Sequence, residues 1–167
     1  RPGANGHDRT GPAGPPTLRP RMVLIGTPAK NGTTECRYTY AYGQSMLMAG
    51  KVGMDLRGLF IPYDSFIQHA RNRLLKEMLQ QDCDDLIFAD ADNDWEPEWP
   101  FVLLGHPVDC VGGTYPLKQD AEAYELRSIS NPVKRCPKTN LLIMDGLGAG
   151  FLRLSRKAVQ TLWDAAT

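Results

Sequence analysis

The stretch Leu86-Ile87-Phe88-Ala89-Asp90-Ala91-Asp92-Asn93-Asp94-Trp95 decides how this chain is read. An apolar run stops abruptly at three carboxylates in alternate positions. Asp85–Ala89 reads as a buried strand, and the sharp change in polarity puts Asp90 at its C-terminal end. In open α/β sheets that edge is where ligands bind. If strand geometry persists, Asp90 and Asp92 project alike, and two such carboxylates repel unless a cation sits between them. A hard divalent ion, Mg²⁺ or Mn²⁺, suits oxygen donors and usually brings phosphate oxygens with it. The plainer reading of the same residues is a solvated acidic turn with helix-capping aspartates.

Strand and helix signals alternate outward from this segment. Met22–Thr27 is a short apolar run stopped by Pro28, read as a first strand. Asn31–Thr34 reads as a turn with an N-cap, followed by a helix from about Glu35 to Ala49, ended by Gly50. Met54–Ile61 reads as a second strand. Asp64 or Ser65 caps a helix to about Gln81, with Phe66, Ala70, Leu74, Leu75, Met78 and Leu79 on one face. Beyond the acidic segment come a short helix over Glu98–Leu104 and a strand over Val108–Gly112. Further strands are expected at Ala123–Ile129, Asn140–Met144 and Gly150–Leu154, and Ser155 caps a closing helix over Arg156–Ala166. Strands separated by helices imply a mostly parallel sheet covered on both faces.

The 167 residues suit one domain, and 19 basic against 19 acidic side chains argue against a dedicated nucleic-acid binder. Residues 1–20 hold four Gly and five Pro and read as a disordered tail. Removing that tail's three Arg and one Asp leaves residues 21–167 with 16 basic and 18 acidic groups, net −2. No apolar run approaches the roughly 18 residues of a membrane span. Cys36, Cys83, Cys110 and Cys136 show no paired spacing and read as small core hydrophobes in a reducing, cytoplasmic setting. The chain opens on Arg1, which suggests a processed form or a piece of something longer.

Two motif readings fail. An EF-hand loop beginning at Asp90 needs Gly at its sixth position and Glu at its twelfth, where Trp95 and Phe101 stand. A phosphatase-type nucleophilic aspartate opens its domain on the first strand with Thr or Val following, whereas this strand is the third and the residue is Asp94.

In order along the chain, Ala70-Arg71-Asn72-Arg73-Leu74-Leu75 and Leu86–Asp92 resemble the A-R-N, hydrophobic strand and D-x-D signature of GT-A-fold glycosyltransferases. The resemblance is to the large inverting family 2 and its phage and bacterial relatives. Val111–Pro116 and Gly148–Leu152, with Arg156 after it, fit the same pattern, so the likeness spans about residues 22–163. It implies a three-layer α/β/α sandwich, with residues 21–167 as the nucleotide-sugar-binding domain, truncated at its C-terminal end.

The implied activity is metal-dependent, inverting hexosyl transfer from a nucleotide-diphosphate-sugar to a glycan, protein or lipid acceptor, with Mn²⁺ or Mg²⁺ as cofactor. Asp90 and Asp92 would form the metal site, Asp90 also touching the ribose or sugar. The backbone at Thr27 and Pro28 would line the nucleotide pocket. Asp64 would recognise the base, although the family's D-D-G-S is here Ile61-Pro62-Tyr63-Asp64-Ser65. Arg71 and Asn72 would hold the diphosphate, or Arg71 would pin a loop through an acid such as Asp64.

Trp95, beside the D-x-D, is the expected sugar contact, with Trp99 read as packing at least as readily as stacking. Tyr38, Tyr40 and Tyr42 are spread by helical spacing and form no platform. His69 and His106 read as surface or partly buried histidines. Asp145 is the only acid between Glu125 and Asp164 and is the candidate general base. A non-catalytic or truncated nucleotide-binding module is the alternative. A nucleotidyltransferase of the same fold is a weaker one, because the first loop offers a single basic residue, Lys30.

Overall fold

The computed structural model describes residues 19–114, 126–128 and 130–166. The sequence folds as β1 (Met22–Ala29), α1 (Cys36–Lys51), β2 (Asp55–Pro62), α2 (Ile67–Gln80), β3 (Asp85–Ala89), α3 (Trp99–Gly105), β4 (Cys110–Gly112), β5 (Leu126–Arg127), β6 (Gly146–Leu147), β7 (Phe151–Ser155) and α4 (Arg156–Ala166). Five strands form one sheet in the order β2-β1-β3-β7-β4, and β5 pairs with β6 separately. β1 is parallel to β2 and β3, while β7 is antiparallel to both β3 and β4. The sheet is therefore mostly parallel, with β7 as its one reversed strand.

Alternation along the strands sorts side chains to two faces. Val23, Ile25, Ile87 and Ala89 pack with Tyr38, Ala41 and Ala49 of α1 and with Leu103 and Leu104 of α3. Leu24, Leu86, Phe88 and Leu154 pack with Ala70, Leu74 and Met78 of α2 and with Val159 of α4. Helices thus cover both faces. Ala70, Leu74 and Met78 recur every four residues, which aligns them as one stripe against the sheet. α2 approaches so closely that a Cβ on Gly26 would lie 3.0 Å from the Leu74 methyls. No helix among the described residues is long and apolar enough to cross a membrane.

Several local expectations change. β1 continues through Pro28, because its pairing with β3 ends at Gly26 and that side of the strand has no ladder left to interrupt. Glu35, where the helix was expected to begin, is the N-cap of α1; it makes no side-chain cap, and its backbone N–H donates to Ala91 O at 2.9 Å. Phe66, expected on the buried face of α2, is exposed because it precedes the helix as its N-cap.

The strand expected over Ala123–Ile129 is only Leu126–Arg127 among the described residues. That over Asn140–Met144 reduces to a bridge between Arg135 and Leu142, with Gly146–Leu147 pairing instead. Only Cys83 is buried, whereas Cys36 and Cys110 are exposed. The closing helix is capped as its sequence predicts, Ser155 Oγ accepting the Ala158 N–H at 3.1 Å. Of the expected tail, residues 1–18 lie outside the described residues; Arg19 grips Asp84 through two hydrogen bonds of 2.8 and 3.1 Å.

Candidate functional site

The chain runs from β1 outward to β2, then crosses β1 to form β3 on the other side. The strand order therefore reverses between β1 and β3, and the C-terminal ends of these parallel strands flank a crevice. A cleft of about 480 Å³ opens there, walled by Pro28 at the end of β1, Lys30 and Glu35 of the β1–α1 connection, Ile67 of α2, and Asp90 and Asp92.

The acidic turn is held from three directions. The Asp90 N–H donates to Gly150 O at 2.9 Å, and Asn93 Nδ2 donates to the same carbonyl at 2.8 Å. Ala91 O accepts the Glu35 N–H, joining the turn to the start of α1. Within the turn, the Asn93 N–H closes onto Asp90 O at 3.0 Å. The turn that carries Asp90 and Asp92 is thus fixed to Gly150, just before β7, and to Glu35, the N-cap of α1.

Arg71 Nη2 donates to Asp90 Oδ1 at 2.9 Å and Oδ2 at 3.3 Å. Its guanidinium lies 5.9 Å from the centre of the Phe88 ring, and its buried Nε has no hydrogen-bond partner among the described residues. The arginine therefore neutralises Asp90 rather than Asp64. Ile67, four residues earlier on the same helical face, lines the cleft, so α2 supplies both the wall and the clamp.

The other expected residues divide. Pro28 lines the cleft. The Thr27 side chain is fully buried, and its hydroxyl is tied by a short hydrogen bond to the Tyr38 hydroxyl. Burial pushes the Tyr38 hydroxyl up to about 12 against that bond, so Tyr38 stays neutral. Asn72 is exposed on α2 and is not among the cleft residues. Asp145 is exposed, its backbone N–H bonded to Arg127 O beside the small β5–β6 sheet, and it does not line the cleft.

Trp95 packs in the core and does not line the β1–β3 cleft. Only 6% exposed, its indole lies edge-on to Tyr38 at 5.1 Å and 5.3 Å from Phe151, and its N–H donates to Ser45 Oγ at 3.1 Å. Trp99 and Tyr40 are exposed, while Tyr38 and Tyr42 stack at 6.2 Å. Sequence reasoning missed Glu35 and Lys30 as cleft residues; the available signal was their place in the first crossover, directly after β1.

Asp64 sits in the β2–α2 connection, where its Oδ2 meets His69 Nδ1 at 2.6 Å and its Oδ1 accepts the Phe66 N–H at 3.1 Å. His69 is two residues past Ile67, on the opposite side of α2 from the cleft-facing residues. The dyad therefore secures the start of α2. Burial works against the Asp64 charge, but His69 and the Phe66 N–H outweigh it and hold the carboxyl below its ordinary value. A depressed carboxylate stabilises the fold fully above about pH 4, its unfolded value, and that stability fades as pH falls through the lower folded value. His69→Ala should move the Asp64 titration upward in carboxyl-detected NMR. An unmoved titration would mean the histidine does not hold it.

Asp90 and Asp92 offer oxygen donors of the kind Mg²⁺ and Mn²⁺ accept, but Asp90 already answers to Arg71. Among the described residues no group of three or more His, Cys, Asp or Glu could hold a metal ion. The donor set fits a cation that takes its remaining ligands from water and phosphate.

No protein-family model matches the sequence, and no curated protein matches it. In structure the chain is similar to A197 from STIV, known from a crystal structure: the two are 17% identical, the match covers 83% of this chain and 67% of that one, and the TM-score is 0.52. At that identity the likeness concerns the fold alone.

Proposed function

We propose that the crevice between β1 and β3 binds a nucleotide-diphosphate-sugar together with Mn²⁺ or Mg²⁺, and that the chain carries a GT-A-type domain transferring the sugar to an acceptor hydroxyl. The observation that carries the reading is the fixed acidic turn at the strand-order reversal: Asp90 and Asp92 face one cleft, with Arg71 clamping the first of them. The cation, when bound there with the diphosphate, supplies positive charge against the negative charge that grows on the leaving group.

The chain's own residues orient the reactants. The backbone anchors from Gly150 and Glu35 keep the turn from reorganising when the ligand enters, the condition under which electrostatic stabilisation is most effective. Arg71 directs Asp90 through two hydrogen bonds to its carboxylate. Lys30 at the rim adds a positive charge that a phosphate can meet.

A second reading, nucleotide binding without turnover, is favoured by Asp145. The candidate base is absent from the cleft walls, so the described residues offer no assigned group to take the acceptor's proton. Turnover with a bound donor separates the two readings.

Calorimetry with UDP, GDP, CDP and dTDP, with and without Mn²⁺, tests the proposal. At least one should bind, and Mn²⁺ should tighten it. Asp92→Asn should remove the Mn²⁺-dependent gain with the melting temperature unchanged, because Asp92 is exposed. Asp90→Asn should remove the same gain and also destabilise the fold by about 1–3 kcal/mol, since it strips the partly buried Arg71 of its charge partner. Binding by Asp92→Asn as tight as the parent's in saturating Mn²⁺ would sink the metal assignment.

A further inference from the structure

A second cleft, of about 410 Å³, lies against the outer side of α1 and is lined by Arg37, Tyr40, Asp94, Glu96 and Trp99 among others, with an edge of the mostly buried Trp95 at its floor. Its lining comes in part from the two segments that also line the first cleft. Glu35 lines the β1–β3 cleft and Arg37 the second; Asp92 lines the first and Asp94 the second. The hydrogen bond from the Glu35 N–H to Ala91 O joins these two segments. Both clefts therefore draw lining residues from these same two segments.

The lining has a distinctive chemistry. Tyr40 and Trp99 are 69% and 45% exposed, large aromatic surfaces left to water on a small protein. Neither is needed for the core, which Tyr38 and Trp95 fill from the same two segments. Between them stand two carboxylates and a guanidinium. Arg37 Nη1 lies 3.7 Å from Asp94 Oδ2, too far for a direct hydrogen bond, with both side chains mostly exposed. Aromatic faces combined with a few polar groups of both kinds match a ligand that is apolar on its faces and hydroxylated at its edge.

The geometry points to a saccharide subsite. A pyranose ring presents C–H bonds to the faces of Tyr40 and Trp99, its hydroxyls donate to Asp94 and Glu96, and its oxygens accept from Arg37. An acidic or purely apolar ligand fits less well, since the first meets two carboxylates and the second strands three charged groups. On the glycosyl-transfer reading, on which this assignment of role rests, the ring is a sugar of the acceptor, held by the segments that also line the donor cleft.

Ligand-observed saturation-transfer NMR on the full chain tests it, with chitotriose, cellotriose, maltotriose and mannotriose at millimolar concentration as probes. At least one should receive saturation. Tyr40→Ala and Trp99→Ala should each weaken it about tenfold, while Tyr40→Phe, which keeps the ring, should retain it. Both alanine positions are exposed, so melting temperature should hold.

Nucleoside diphosphate calorimetry on the same variants should match the parent. No transfer to any of the four saccharides, or transfer undiminished in both alanine variants, overturns the subsite. If that happens while a nucleoside diphosphate still binds, only this inference falls. Saccharide bound through Tyr40 and Trp99 with no nucleoside diphosphate bound supports the subsite and removes the transfer reading.

Discussion

Replacing Arg153 by Met is expected to destabilise the chain by about 3–5 kcal/mol, the range for removing one partner of a buried ion pair. Asp85 opens β3 with 1% of its side chain exposed, and Arg153 faces it from the antiparallel β7 with 6% exposed. Arg153 Nε donates to Asp85 Oδ1 at 2.6 Å, its Nη2 closes on the same oxygen, and its Nη1 reaches Val108 O. The other carboxylate oxygen accepts Arg21 Nε at 2.7 Å, and Arg21 Nη1 continues to Leu104 O at 3.0 Å.

The methionine keeps most of the apolar stem but leaves Asp85 Oδ1 and the Val108 carbonyl without their donor. Arg21 is too exposed, at 40%, to make up the difference. The double variant Asp85→Leu with Arg153→Met removes both charges and should recover most of the loss; Arg21 then turns to water. Urea unfolding at constant m-value measures both variants. A single-variant cost below about 1 kcal/mol, the level of an exposed pair, would show that the pair is not sealed from solvent.

This network also marks where sequence reading stops. β1 to β3 with their helices were legible because their signals are local: an apolar run ended by a polar turn, and Ala70, Leu74 and Met78 spaced by four. Arg153 within Phe151-Leu152-Arg153-Leu154 is not a local signal. A charge inside an apolar strand makes sense only once β7 lies antiparallel beside β3, which brings Asp85 opposite Ser155 and Arg153 opposite Ile87. Strand order is a long-range property, so nothing within Phe151–Ser155 showed that it would reverse direction.

The cleft divides the same way. Asp90 and Asp92 were found because a strand end announces them. That Arg71 clamps Asp90 depends on the approach of α2 to β3, and both residues had been singled out without being paired. Asp145 looked important by scarcity in sequence, which says nothing about which edge of the fold it occupies.

Trp95 has a core role that its place in the sequence did not show, and that role yields the second large effect. Adjacency to Asp94 suggested a ligand contact, but the turn aims the indole inward, where it touches Tyr38 and Phe151 and bonds Ser45 Oγ. Ser45 in turn donates to Pro97 O at 3.0 Å, so the indole N–H completes a buried chain that holds the Asp94–Pro97 loop onto α1. Trp95→Ala is expected to cost about 3–5 kcal/mol, through lost burial and the cavity left among α1, β7 and the loop.

Trp95→Phe keeps a ring against Tyr38 and leaves Ser45 its bond to Pro97. It should cost about 1 kcal/mol for the lost N–H donor, plus what the smaller ring fails to fill. The two variants also separate core from ligand contact. A core role away from the β1–β3 cleft predicts that Trp95→Phe binds nucleoside diphosphate as the parent does, once both are measured well below their melting temperatures. Loss of nucleoside diphosphate affinity in Trp95→Phe with stability unchanged would return the indole to the nucleotide site.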